Sequence, residues 1–252
     1  MKIFVISTQL IFVLLVSCKP AYNIQKTEQS EYILSDTSNT TIDSSIYTLI
    51  LPYREKVVGT MSAVIAESES AMERGVPESK LGNFVSDACM SEALKIYYPS
   101  DGRQADFTFF TNGGLRKALP MGKITLGDVY ELMPFENQLV VLSVNGELVK
   151  KIFNFIASKD GAPLSGARFQ IKDHEAVNIT IHNEPLDITK TYKVLTSDYL
   201  ANGGDSFDFL IDSPRENVNL KVRDALIQNL MLASKEGKKI NVGLDGRINY
   251  AR

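Results

Sequence analysis

Between residues 46 and 252, short apolar runs of strand length alternate with longer amphipathic stretches. A chain patterned in this way packs helices against a sheet, so the expected fold is an α/β (α+β) single domain, a mixed sheet flanked by helices. Strand-like runs fall at 61–66, 105–110, 138–143, 167–171, 177–181 and 192–196. Ile46, Leu49, Ile50, Tyr53 and Val57 recur at helical spacing, with Pro52 as a start or a kink. Ser79 is placed to cap a helix carrying Leu81, Phe84, Val85, Ala88 and Cys89 on one face. Further helices are expected from Thr125, over 147–155 and over 218–232. No internal repeat or linker divides 46–252, which reads as one domain.

The first eighteen residues read as an address. Lys2 is a positive start, and 3–16 is almost continuously apolar yet too short for a comfortable membrane span. Leu15-Val16-Ser17-Cys18 resembles a bacterial lipoprotein signal, in which Cys18 is lipidated and becomes the mature N-terminus; a plain secretory signal with a chance cysteine is the alternative. The expectation is a signal peptide over 1–17, a polar and flexible tether over 18–45, and a lipid-anchored, periplasmic or surface-facing place in a bacterial cell envelope. Cys89 then has no disulfide partner and reads as a small buried hydrophobe.

Several chemistries lack their residues. The net charge of −3 offers no electrostatic case for nucleic acid or an anionic membrane surface. The two histidines, His174 and His182, lie in a polar strand-rich region and cannot supply the several converging ligands of a two-metal phosphoesterase. No phosphate-binding Gly-Lys-Ser/Thr loop, Gly-x-Ser-x-Gly elbow or paired zinc cysteines occur. The chain reads as a binder with no catalytic residues and no cofactor of its own.

Three turns offer polar and aromatic groups. Thr191 to Thr196 alternates like a half-buried strand and runs into Asp198-Tyr199-Leu200-Ala201-Asn202-Gly203-Gly204-Asp205. Two glycines permit close ligand approach, Tyr199 can act as a stacking plate, and Asp205 can accept from sugar hydroxyls. An ordinary turn with Tyr199 capping the core is the plain alternative. Asn112-Gly113-Gly114-Leu115-Arg116 offers an amide and a guanidinium able to fork onto an anion, or else a simple turn with a solvated arginine. Pro134-Phe135-Glu136-Asn137 sets an aromatic after a rigid proline, as a second plate or a core plug.

Taken together and in this order, these pieces resemble the C-terminal domain of the 5′-nucleotidase and UDP-sugar hydrolase proteins. The match also includes Glu78-Ser79-Lys80-Leu81-Gly82-Asn83, Ile124-Thr125-Leu126-Gly127-Asp128-Val129 and Pro185-Leu186-Asp187, and spans about 46–252. The resemblance implies a substrate-binding site for a nucleotide or nucleoside. In it Phe135 and Tyr199 clamp the base, Asn112 contacts it, Asp205 holds the ribose hydroxyls and Arg116 meets the phosphate, with Gly113 and Gly114 also among the substrate-binding residues. It also implies that hydrolysis, with two divalent metals, belongs to a separate calcineurin-like metallophosphoesterase, which no stretch of this sequence resembles. Two functions follow as expectations: the specificity half of a split 5′-nucleotidase, or a non-catalytic surface module that captures nucleosides or nucleotides. The sequence departs from the family by one glycine, since Gly114 is followed directly by Leu115, and by Pro77 where the family has an arginine, with Arg74 as the nearest substitute. The shorter loop is expected to draw Arg116 back from a phosphate and to shift preference toward nucleosides.

Overall fold

The computed structural model describes residues 26–31 and 43–251. The proposed signal peptide, Cys18 and most of the tether lie outside the described residues. Contacts divide the chain into Met1–Tyr47 and Thr48–Arg252. In the first unit Lys26 pairs with Glu28, and the Asp43 carboxylate accepts from the Ser45 and Ile46 amides.

Helix α1 (Ser44–Met61) leads to strand β1 (Val64–Ser68) and helix α2 (Lys80–Ile96). Then come β2 (Phe107–Phe109), β3 (Gly122–Thr125), α3 (Leu126–Leu132), β4 (Gln138–Asn145) and α4 (Gly146–Ser158). Strands β5 (Leu164–Ser165), β6 (Ala167–Lys172), β7 (Glu175–Ile181), β8 (Glu184–Pro185) and β9 (Thr191–Ser197) follow. The short helix α5 (Asp198–Ala201), β10 (Arg215–Lys221), α6 (Val222–Lys235) and β11 (Ile248–Tyr250) complete the order.

The helix starts follow side-chain chemistry. Ser79 accepts from the Gly82 amide, Asn145 from Leu148, and Thr125 and Asp128 form a reciprocal capping box. The central sheet runs β10-β4-β9-β2-β5. Strand β9 sits at its middle, antiparallel to β4 from Asn145↔Thr191 to Leu139↔Ser197 and parallel to β2 through Phe107↔Val194. A second sheet runs β11-β6-β7-β8, and β1 pairs with β3.

Both faces of the central sheet are buried, which is why Leu139-Val140-Val141-Leu142 is continuously apolar instead of alternating. Leu139, Val141 and Leu195 join a core with Leu81, Phe84 and Cys89 of α2 and Leu226 of α6. Val140, Leu142 and Val194 face the other way, against Phe107, Phe109, Phe169 and Phe153 of α4. The Phe153 ring centroid lies 5.2 Å from that of Phe107 and 5.3 Å from that of Phe169. Cys89 is unpaired and fully buried, and burial pushes its thiol pKa up, so it serves as packing.

Four expectations shift. The helix expected over 218–232 begins at Val222; before it, buried Val218 and Leu220 alternate with exposed Asn217 and Asn219 as β10. Helix α1 contains Pro52 in its interior and buries none of its residues, so its apolar face is exposed. It also takes in Met61, which moves the first strand to 64–68. Strands β3 and β11, four and three residues long, escape a reading based on periodicity. His174 and His182 are exposed, beside Asp160 and Asp106 respectively.

Candidate functional site

Because β2 and β9 run parallel and β4 runs against them, the ends of β2 and β9 and the start of β4 share one sheet edge. The turn Asn112–Gly114 leaves β2, the Pro134–Asn137 loop feeds β4, and α5 leaves β9. Ligands of open α/β sheets commonly sit at such strand ends. The loops are fastened to one another. The Arg116 amide donates to Leu132 O at 2.9 Å, and the Asp198 carboxylate accepts from the Gln138 and Tyr199 amides at 3.0 and 2.8 Å. The Thr111 hydroxyl donates to Asp205 at 2.5 Å.

These loops enclose a cleft of about 270 Å³. Gly113, Gly114, Arg116, Phe135, Tyr199 and Asp205 all line it, over a floor that includes Phe110, Met133 and Leu200. Phe135 is 39 % and Tyr199 47 % exposed, so two large rings are partly open to solvent in a domain whose other phenylalanines mostly pack inward. The back of the Tyr199 ring rests on Gly204, where a Cβ would come within 2.5 Å of ring carbons. Gly203 in front of it adopts φ 91°, in the left-handed region.

Asn112 takes a different position. It lines an adjoining cavity of about 380 Å³, together with Phe155 and Lys159, that shares Thr111, Gly113 and Asp205 with the cleft. Its Nδ2 donates to Gly75 O at 3.4 Å, and its Oδ1 is buried without a partner. Arg116 stays at the cleft despite the shorter loop, with its guanidinium folded back to donate to Gly113 O at 3.3 Å. Arg74 approaches the same loop, donating to Leu115 O at 3.4 Å.

Three contributors were not singled out from the sequence. Asn137 lines the cleft from the end of the Pro134–Asn137 turn, where only Phe135 is given a role, and Thr111, which holds Asp205, adjoins Asn112, so extending that turn by one position would have found it. Arg223 had no local signal, because an arginine in an amphipathic helix reads as solvated. It is buried, stacks over the Tyr130 ring at 4.2 Å, and donates to Met133 O and Phe135 O at 3.3 Å each. It also binds Glu136, which Lys221 contacts at 2.5 Å. Arg223 thereby fixes the backbone of the Phe135 loop.

The Lys221 ammonium and then the Arg223 guanidinium hold the Glu136 carboxyl down at about 2. A carboxylate with a lowered folded pKa contributes stability above its ordinary value of 4.5, and that contribution is lost as pH falls toward 2. Wild type is therefore expected to melt above Glu136→Gln at pH 5 and to lose that advantage between pH 4.5 and 2. Melting curves of both proteins across that range test this, and a constant difference would remove the ionic latch.

Among the described residues no cluster of three or more His, Cys, Asp or Glu side chains is placed to hold a metal ion. No helix among them is long and apolar enough to cross a membrane.

Comparison with known proteins agrees with this architecture. The profile of the 5′-nucleotidase C-terminal domain matches residues 57–212. A 5′-nucleotidase of Vibrio parahaemolyticus is 26% identical over 236 residues, covering 90% of this chain and 40% of the relative. One from Vibrio cholerae is 28% identical over 188 residues, covering 71% of this chain and 32% of the relative. The solved 5′-nucleotidase precursor of Thermus thermophilus superposes with a TM-score of 0.68 at 27% identity, covering 83% of this chain and 44% of that one. The chain thus spans less than half the length of these relatives.

Proposed function

This chain belongs to the 5′-nucleotidase C-terminal domain family, and on that premise we propose that it is the nucleotide- or nucleoside-binding, specificity-setting half of a split 5′-nucleotidase. The observation that supports this reading most is the meeting of Phe135, Tyr199, Asp205 and Arg116 around one cleft from three separate loops. Two exposed rings can sandwich a flat base, a carboxylate beside them can accept from a sugar, and a guanidinium at the same cleft can meet an anionic group. In this reading the two divalent metals and the attacking water belong to a separate metallophosphoesterase polypeptide. This chain selects and orients the substrate. The lipid on Cys18 tethers it in the bacterial envelope.

The test is to mix the purified chain with a stand-alone metallophosphoesterase from the same genome and manganese, and to follow AMP hydrolysis. The split reading expects more hydrolysis than the phosphoesterase gives alone; no gain sinks it. Binding of adenosine or AMP without a gain under any condition favours the second expectation, a capture module. Phe135→Ala is expected to weaken binding roughly 5- to 150-fold by calorimetry, since base–aromatic stacking contributes about 1–3 kcal/mol. Unchanged affinity would remove Phe135 from the clamp.

A further inference from the structure

Tyr199 carries a hydroxyl that a stacking plate does not need, and that hydroxyl is fully engaged. It donates to Asp205 Oδ1 at 2.9 Å and accepts from the Asp205 amide at 3.3 Å. Accepting that N–H directs the phenolic proton to the carboxylate. The same contact holds the Tyr199 pKa above its ordinary value. From the other side, Thr111 donates to Asp205 Oδ2 at 2.5 Å. Asp205 and Ser206 both adopt positive φ, 51° and 68°, and this turn brings the Asp205 side chain back toward Tyr199.

A carboxylate offers about four lone-pair positions over two oxygens. Thr111 and Tyr199 occupy one on each oxygen, which leaves one on each. An aspartate χ2 is normally broad and soft, but here both ends of the group are held. Two fixed, adjacent acceptors match two adjacent O–H donors.

We infer that Thr111 and Tyr199 are positioning residues that hold Asp205 as an acceptor for a vicinal sugar diol, so that the cleft selects ribonucleosides over 2′-deoxyribonucleosides. The inference rests on the nucleoside-binding reading above. A site built to bond a substrate hydroxyl discriminates against the analogue that lacks it, because a polar group is then left unpaired. The rings give no such discrimination, since both sugars present the same base.

The test is calorimetry on the full chain with adenosine, 2′-deoxyadenosine, uridine and 2′-deoxyuridine. Wild type is expected to prefer the ribonucleoside by roughly 10- to 100-fold, the range of a hydrogen bond to a charged group. Tyr199→Phe keeps the plate, and Thr111→Val keeps the shape. In each, the ribo-to-deoxy ratio is expected to fall by about tenfold or more. Thr111→Ser is expected to restore the wild-type ratio. A merely structural role would weaken both sugars equally. Equal weakening, or an unchanged ratio in both variants, overturns the inference and leaves the nucleoside reading standing. If wild type binds none of the four nucleosides, the reading itself fails and the inference with it.

Discussion

Gly204→Ala is expected to lose roughly 5- to 150-fold in nucleoside affinity while the domain stays folded. The Tyr199 ring lies on Gly204 so closely that a methyl group would sit 2.5 Å from its carbons. The backbone there cannot yield easily, because the adjoining turn already has Gly203 and Asp205 in the left-handed region. The ring is half exposed, so it swings away and takes the plate with it. The affinity range corresponds to one stacking contact of about 1–3 kcal/mol. Fold stability changes little by comparison, since no core volume is disturbed. A double mutant cycle is decisive: adding Gly204→Ala to Tyr199→Ala should cost nothing further, because both remove the same plate. Additive losses would show that Gly204 acts by another route.

Arg247→Met is expected to cost about 3 kcal/mol of stability, at the lower end of what breaking a buried ionic group costs, without altering the cleft. Its side chain is only 11% exposed and spends every nitrogen. Nη1 donates to Asp87 at 2.8 Å and to Leu164 O at 2.7 Å, Nη2 to Asp87 at 3.1 Å and Asp245 at 3.0 Å, and Nε to Asp245 at 3.0 Å. One guanidinium therefore joins α2, β5 and the segment that feeds β11. Glu78, itself buried, holds the same segment by accepting from the Asp245 and Gly246 amides at 2.8 and 2.9 Å. Asp87 and Asp245 are accessible enough to regain water, which keeps the loss from reaching the upper end. Arg247 also lowers the Asp245 pKa, so part of this stability is present above about pH 4 and is lost on acidification. The variant should therefore lose less stability in acid than wild type does. Denaturant titration measures the loss, and a change below about 1 kcal/mol would mean that the segment is held by Glu78 alone.

The cleft was legible where its chemistry is local. Tyr199, Gly204 and Asp205 stand within seven residues, and the Gly-Gly turn between rings and carboxylate announces itself. The cap at Ser79 and the helix start at Thr125 were legible for the same reason. What escaped depends on distant partners. Nothing around Val218 separates a strand from a helix until β4 pairs with it, and nothing around Arg223 shows that the Phe135 loop lies opposite. The position of Asn112 is a further case: its residue type suits a cleft, but it lines the neighbouring cavity and its amide donates to Gly75 O, 37 positions earlier in the chain.

The place of β9 in the middle of the central sheet has a consequence for how the cleft comes into being. Its pairing with β2 joins residues 87 positions apart, and its pairing with β4 spans a hairpin that contains a helix and four other strands. Such non-local pairings are slow, because chain closure must be met before the contacts form. A chain emerging from synthesis holds Asn112 to Asn137 long before Tyr199 exists, and no partial structure brings both plates to one edge. The cleft is therefore incomplete until β9 has joined the sheet. On the proposed nucleoside-binding reading, a nucleoside at a hundredfold excess over its Kd is expected to stabilise the folded domain by about 2.7 kcal/mol through mass action.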